Sequence, residues 1–356
     1  MGLNILICVD DEPNQDLTQE VSRVEVYEKI DQNTTYKLNF LVDVCSDDIA
    51  RTLDRNTDPG TILSVVVQTD QGRTCLVKGP VTQKEAHLQH GGAGSWIHVE
   101  GEDTGYNMDQ EVNFRVTPSG TDAEIVTQLI SRNDHMTPDV EDTPDSAHEE
   151  ENHSLVQREP DLSFIRSLAR RNGYHFWITY TDAGRATGHF RSRTLAGEPA
   201  ATLVVNLENY NIESLRISAD TRRPTQTVGR QLNLRNKSVI GDTVSLDDTP
   251  LGAQSLAAAA GRNAQTMHLA PTIDDAGAMQ ARSRAALRDA QWFIHATCRA
   301  SLGRLSKVVR SHTIVNVQGA GSRHSGRYYV NGVKHVIDAA AHLMELELTR
   351  NAWGSE

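Results

Sequence analysis

The sequence has no cysteine pair at redox or metal-ligand spacing. Cys8, Cys45, Cys75 and Cys298 are far apart and sit among apolar or β-like neighbours. A disulfide framework or zinc ribbon therefore has little support, and buried free thiols are expected. Long apolar runs are also missing: none approaches the roughly 20 residues that span a bilayer. No basic segment precedes the short apolar run Leu3 to Cys8, and Leu6 stands where myristoylation needs Ser or Thr. Membrane insertion and lipidation are not expected, and the chain reads as cytoplasmic during its assembly. Positive charge is in deficit, 35 Lys and Arg against 47 Asp and Glu, a formal net of −12. That balance repels phosphate and argues against a nucleic-acid partner. There is no Walker A loop, no G-x-S-x-G elbow and no dinucleotide fingerprint.

What is present is a soluble globular profile, with 38% hydrophobic and 23% charged residues over 356 positions, enough for two or three cores. The first hundred residues read as strands. Val24 and Val26 alternate with Arg23 and Glu25, and Tyr36, Leu38 and Phe40 resume the period after the turn at Asp31. A second hairpin, Ile62 to Val67 with Cys75 to Val77, turns at Asp70-Gln-Gly72, where glycine supplies a positive φ. Ser95 to Glu100 is a further strand.

Thr121 and Glu124 form a capping box ahead of a helix carrying Ile125, Val126 and Leu129. From 134 to 153 the chain is acidic, contains proline and has almost nothing to bury, so a mobile linker is expected. Order returns with a helix from Pro160 and Asp161, striped by Leu162, Ile165 and Leu168 and stopped at Gly173. Tyr174, Phe176, Ile178 and Tyr180 then mark a strand. A third section begins with strands at Leu203 to Val205 and Ile212 to Ile217, is broken by a long alanine-rich helix over about 274–302 ending near Gly303, and closes with strands. In the last of these, Met344, Leu346 and Leu348 alternate with Glu345, Glu347 and Thr349. The Gly79 to Val81 and Trp96 strands echo Gly332-Val333 and the Leu343 strand, as two similar β units would.

Candidate chemistry is thin. Asn4 to Pro13 has the acidic cluster of a phosphate-receiver strand, but hairpins follow where alternating helices and strands would be needed, so an acidic β-turn is the reading. His87, His90 and His98 are the densest histidine group, yet Gly91 to Gly94 makes this a turn without a full ligand set. Glu149 to Glu151 falls in the linker, where nothing would hold a general acid. No catalytic residue, cofactor site or metal site is expected.

Two phrases carry a family resemblance. The first is Arg158, Glu159, Asp161, Leu162, Phe164, Ile165, Leu168, Ala169, Gly173 and Tyr174; the second is Gly326, Tyr328, Val330, Val333, His335 and Ile337. Together with the order of the parts, they resemble the phage late control gene D protein family, hub proteins of contractile tails and injection machines, similar to the hub part of VgrG. The resemblance implies a mainly β chain with α insertions (α+β): a first hub β-barrel over 1–112, a helix and strand insertion over 113–200 holding the 134–153 linker, and a second barrel over 201–356 interrupted by the long helix. It further implies a homotrimeric, pseudo-sixfold ring that adapts a hexameric tail tube to a trimeric spike without catalysis. The implied partners are copies of the chain, a spike expected as a separate polypeptide, the tube and other baseplate proteins, and the implied destination is a phage tail or injection particle. The motif residues are expected to be structural. Two alternatives remain: a tail-tip cell-wall hydrolase, and a carbohydrate-binding β module using Trp96, Trp177 and Trp353.

Overall fold

The computed structural model describes residues 5–42, 53, 55–70, 72–90, 94–117, 119–133, 136–144, 148, 155–232, 237–245, 250–261, 265–269 and 276–354. Cys45, Gly91 to Ala93 and Glu149 to Glu151 lie outside them.

Alternation of apolar and polar residues builds the first unit. Its strands are β1 (Ile5–Val9), β2 (Val21–Lys29), β3 (Thr35–Val42), β4 (Ile62–Thr69), β5 (Gly72–His87) and β6 (Ser95–Glu102), with helix α1 (Gln15–Glu20) after β1. The hairpins turn where the sequence indicates, with φ of 60° at Asp31 and 129° at Gly72. Asp10 and Asp11 occupy left-handed positions in a tight turn, which bears out the acidic β-turn. Strand order across this unit is β1-β4-β5-β6-β3-β2, antiparallel throughout. Val24, Val26, Leu38, Phe40, Val65 and Val99 point to one face and are sealed from solvent, with Leu17 of α1 plugging the same core.

The middle section contains α2 (Asp122–Ser131), β7 (Met136–Val140), α3 (Asp161–Asn172), β8 (His175–Tyr180) and β9 (Ala186–Arg191). The Thr121 and Glu124 capping box is formed, and Gly173 ends α3 at φ 69°. Within the expected linker, Met136–Val140 is instead a strand, pairing in parallel with β9. Met136 is buried there, and His189 and Arg191 hold Asp139, so a local ledger of apolar residues missed what cross-strand partners supply. This section's core also draws in Cys8, Val66 and Cys75, so β1, β4 and β5 bury both faces. That accounts for the apolar run from Ile62 to Val67, interrupted only by the buried Ser64.

The third section contributes β10 (Ala201–Val204), β11 (Ile212–Ala219), β12 (Pro224–Leu232), β13 (Val239–Ser245), β14 (Gln265–Leu269), α4 (Ala276–Ala290), β15 (Ile294–Ser301), β16 (Ile314–Gln318), β17 (Gly326–Asp338) and β18 (His342–Arg350). The long helix expected over about 274–302 ends at Ala290. Ile294, Ala296, Cys298 and Ala300 are buried while His295, Thr297 and Arg299 are exposed, a period of two that makes this stretch a strand. Gly303 lies inside a four-residue helix, Leu302–Leu305. Strands β12 to β14 form a separate sheet under α4, and Gly229 is needed there because a Cβ would fall 2.2 Å from the Met279 sulfur.

The remaining six strands run β10-β16-β17-β18-β15-β11. In chain order this is the arrangement of the first unit, first-fourth-fifth-sixth-third-second, and it differs only in that β10 pairs in parallel. Equivalent strands β5 and β17 are both long and pair with one neighbour over their first part and another over their last, each with an irregularity at the change, Val81/Gln83 and Val330/Gly332. The sequence echo falls on these strands and their partners β6 and β18. Two closed barrels were expected; among the described residues neither set of six closes on itself. The outer edge of β2 is instead taken by β17, with Gly332 opposite Lys29 and Asp338 opposite Arg23, which joins both units in one 13-stranded sheet.

Candidate functional site

Along the joined sheet, the face opposite the cores carries opposite charges in alternating strands. Glu100 on β6 accepts from Lys37 on β3 at 2.6 Å, and Glu25 on β2 accepts from Lys334 on β17 at 2.8 Å. Lys29 reaches Glu347 at 3.0 Å, the Tyr27 hydroxyl donates to the same carboxylate, and Arg299 reaches Glu345 at 2.5 Å. All of these residues except Lys29 line a trough of about 1030 Å³ that reaches from Gln83 on β5 to Arg216 on β11. Each exposed pair is worth roughly 0–1 kcal/mol, so the ladder is a surface property more than a stabilising one.

The seam between the units is sealed differently. Glu28 on β2 is buried against the Arg310 guanidinium at 2.6 Å and the His335 imidazole at 3.4 Å, and accepts from Ser311. Arg310 also donates to the backbone oxygens of Cys75 and Leu76 on β5, both at 2.9 Å. Burial alone would raise the Glu28 pKa, but the Arg310 charge and the His335 and Ser311 contacts outweigh it and hold it low. His335 meets His342 at 3.0 Å. Burial, helped by its neighbour His335, pushes His342 down to about 3. A buried Asp103 lies in the first unit, raised to about 6 by burial despite donations from the Thr34 and Gly105 amides.

The two motif groups are not brought together. In the first, Leu162, Phe164, Ile165 and Leu168 are core of the middle section, and Asp161 accepts from Gln157 and Asn113 at the start of α3. Arg158 is exposed over the Phe114 ring, the Glu159 backbone oxygen accepts from Gln157, and the Tyr174 hydroxyl donates to the Asp142 oxygen. At Gly173 a Cβ would stand 3.0 Å from Ala285 on α4. In the second group, Tyr328, Val330 and Val333 are core of the second unit, and His335 belongs to the seam. Gly326 leaves room for the Arg350 guanidinium.

Arg350 itself escaped the sequence reading. It is fully buried and donates to the backbone oxygens of Leu251, Ser325 and Gly354, tying β18 to two loops. Its signal was parity: 350 continues the inward phase of Leu346 and Leu348. Trp96 is stacked between His87 and His98, Trp177 lies 3.8 Å from His312, and Trp353 is buried, so none stands as an open sugar platform. Cys8, Cys75 and Cys298 are buried free thiols, and burial raises Cys75 and Cys298 to about 12. Among the described residues no cluster of His, Cys, Asp or Glu has a metal-holding arrangement, and no helix is long and apolar enough to cross a membrane.

The sequence model of the Alg8 N-terminal domain family matches residues 4–339. The chain belongs to that family. Among solved structures, this chain is similar to the tail protein from Neisseria meningitidis MC58, with TM-score 0.67 and 14% identity over 99% of this chain and 98% of that one. It is also similar to the 43 kDa tail protein of prophage MuSo2 from Shewanella oneidensis, with TM-score 0.66 and 12% identity over 98% of each chain. The E. coli c3393 protein, a component of the type VI secretion system, gives TM-score 0.57 and 12% identity over 95% of this chain and 76% of that one. At such identities the likeness is one of fold. No curated protein matches the sequence.

Proposed function

We propose that this chain is a structural baseplate hub subunit of a contractile tail or injection system, acting as a homotrimer and without catalysis. The observation that carries the reading is the duplicated strand order: one chain holds two equivalent six-strand units in one sheet. Three such chains would present six units, which suits a ring meeting a hexameric tube on one side and a trimeric spike on the other. The tail-protein and secretion-component fold relatives support the same setting, as do the motif residues that resemble the late control gene D family. On this reading the trough with its charge ladder faces the ring interior. The partners are further copies of the chain, the spike, the tube and neighbouring baseplate proteins, and the chain is assembled in the cytoplasm before joining a particle.

Native mass of the purified chain, alone and co-expressed with its spike neighbour, tests this directly. A trimer with a six-lobed outline in negative-stain averages is expected. A monomer in both preparations would remove the adaptor reading.

A further inference from the structure

The seam inside the chain shows what an outer edge of either unit accepts. Strand β2, the second strand of unit one, pairs with the last part of β17, the fifth strand of unit two. The equivalent pair is β11, the second strand of unit two, and the last part of β5, the fifth strand of unit one. Among the described residues nothing pairs with the outer edge of β11 or with that of β5 over Glu85–His87. We infer that β11 of one copy pairs antiparallel with the end of β5 of the next, repeating the internal seam between copies. This deepens, and rests on, the ring reading.

Register follows from the two irregularities. Val330 opposes Leu348 as Val81 opposes Gly101, so β17 maps onto β5. Leu348 opposes Ala296, which opposes Ile217, as Gly101 opposes Tyr36, which opposes Val26. Val26 is therefore equivalent to Ile217. The internal pairs His335 with Val26 and Ile337 with Val24 become Ala86 with Ile217 and Leu88 with Leu215 between copies.

Two further observations fit this register. Ile337 is 2% exposed, because it enters the core of the other unit, whereas its equivalent Leu88 is 63% exposed. Leu88 thus has the side chain for that core and lacks the core. Charge also fits. The internal seam is crossed by Lys334 to Glu25, and the equivalent positions are Glu85 and Arg216, the same complementarity with signs exchanged. Both are exposed, and neither has an ion-pair partner among the described residues. Alternation of paired strands with matched charges and a buried apolar rung is what strand addition requires.

The test uses the full chain. Glu85→Arg and Arg216→Glu are each expected to raise the concentration at which the oligomer forms at least tenfold, and the doubly substituted chain to recover it, with circular dichroism unchanged because both sites are exposed. Independently, a chain carrying Ala86→Cys is mixed with one carrying Ile217→Cys, and His87→Cys with Arg216→Cys, so that only contacts between copies cross-link. A disulfide-linked dimer absent from each single variant is expected. An oligomer that forms but shows neither the rescue nor the cross-link overturns the seam and leaves the ring reading standing. A monomer at every soluble concentration overturns both.

Discussion

The two units share a strand order but treat their edges differently. The inner edge, β2 against β17, is filled within the chain and carries buried charge: Glu28, Arg310 and His335 meet there. At the open edges the positions equivalent to His335 and Glu28 are Ala86 and Ala219. A contact formed by folding always has its partner, so it can bury a carboxylate. An edge that spends time in water does better with small residues, since an unpartnered buried charge costs several kcal/mol.

The comparison can be broken most severely at Glu28. Glu28→Ala leaves Arg310 and His335 facing a buried gap, and a loss of about 3–5 kcal/mol is expected in urea unfolding of the chain. A loss under 1 kcal/mol would mean the seam does not depend on this charge. Next comes the contrast between equivalent apolar positions. Ile337→Ala should cost about 2–4 kcal/mol, and Leu88→Ala below about 0.5 in the monomer, measured side by side by denaturation midpoints. Equal losses would show that Leu88 already has a core.

Acid sharpens the comparison further. His342 has a folded pKa of about 3, below the ordinary value near 6.5, so as pH falls the unfolded chain takes the proton first. Stability tied to it is complete above pH 6.5 and is lost toward pH 3, about 2 kcal/mol of it between pH 7 and 5. Glu28, also held low, loses stability in the same direction. Asp103, raised to about 6, works oppositely, gaining as pH falls from 6 to 4. His342→Gln should flatten the pH 7 to 5 slope by about 2 kcal/mol relative to the parent chain, and an unchanged slope would remove the seam as the acid-sensitive element. The smallest effect belongs to the trough. Lys334→Ala should cost about 0.5 kcal/mol, less at high salt, because its pair with Glu25 is half-exposed.

Strands with one wet face were legible in the sequence because their period is local: Val24 and Val26, Tyr36 to Phe40, Met344 to Leu348. The helix at Asp161 was legible through its stripe and its Gly173 stop. What the sequence hid was non-local. Met136–Val140 becomes a strand because β9 pairs with it, and Ile294–Ser301 was absorbed into the preceding helix because its alanines suit either period. Glu28 and Arg310 lie far apart in the chain, and no spacing announces their ion pair. The echo between the units was audible only as Gly-Val phrases, since strand order, unlike side-chain identity, leaves little trace in one sequence.

One consequence of the β2 to β17 pairing concerns the order of manufacture. Ile337 completes the core of the unit that begins at Ile5, and Arg310 caps its Glu28. During synthesis that first unit leaves the ribosome before its partner strand and stays unfinished, with a bare strand edge, until β17 has emerged more than 200 residues later. The first unit is therefore the one more in need of protection while the chain is being made, although it is the one with the simpler connections.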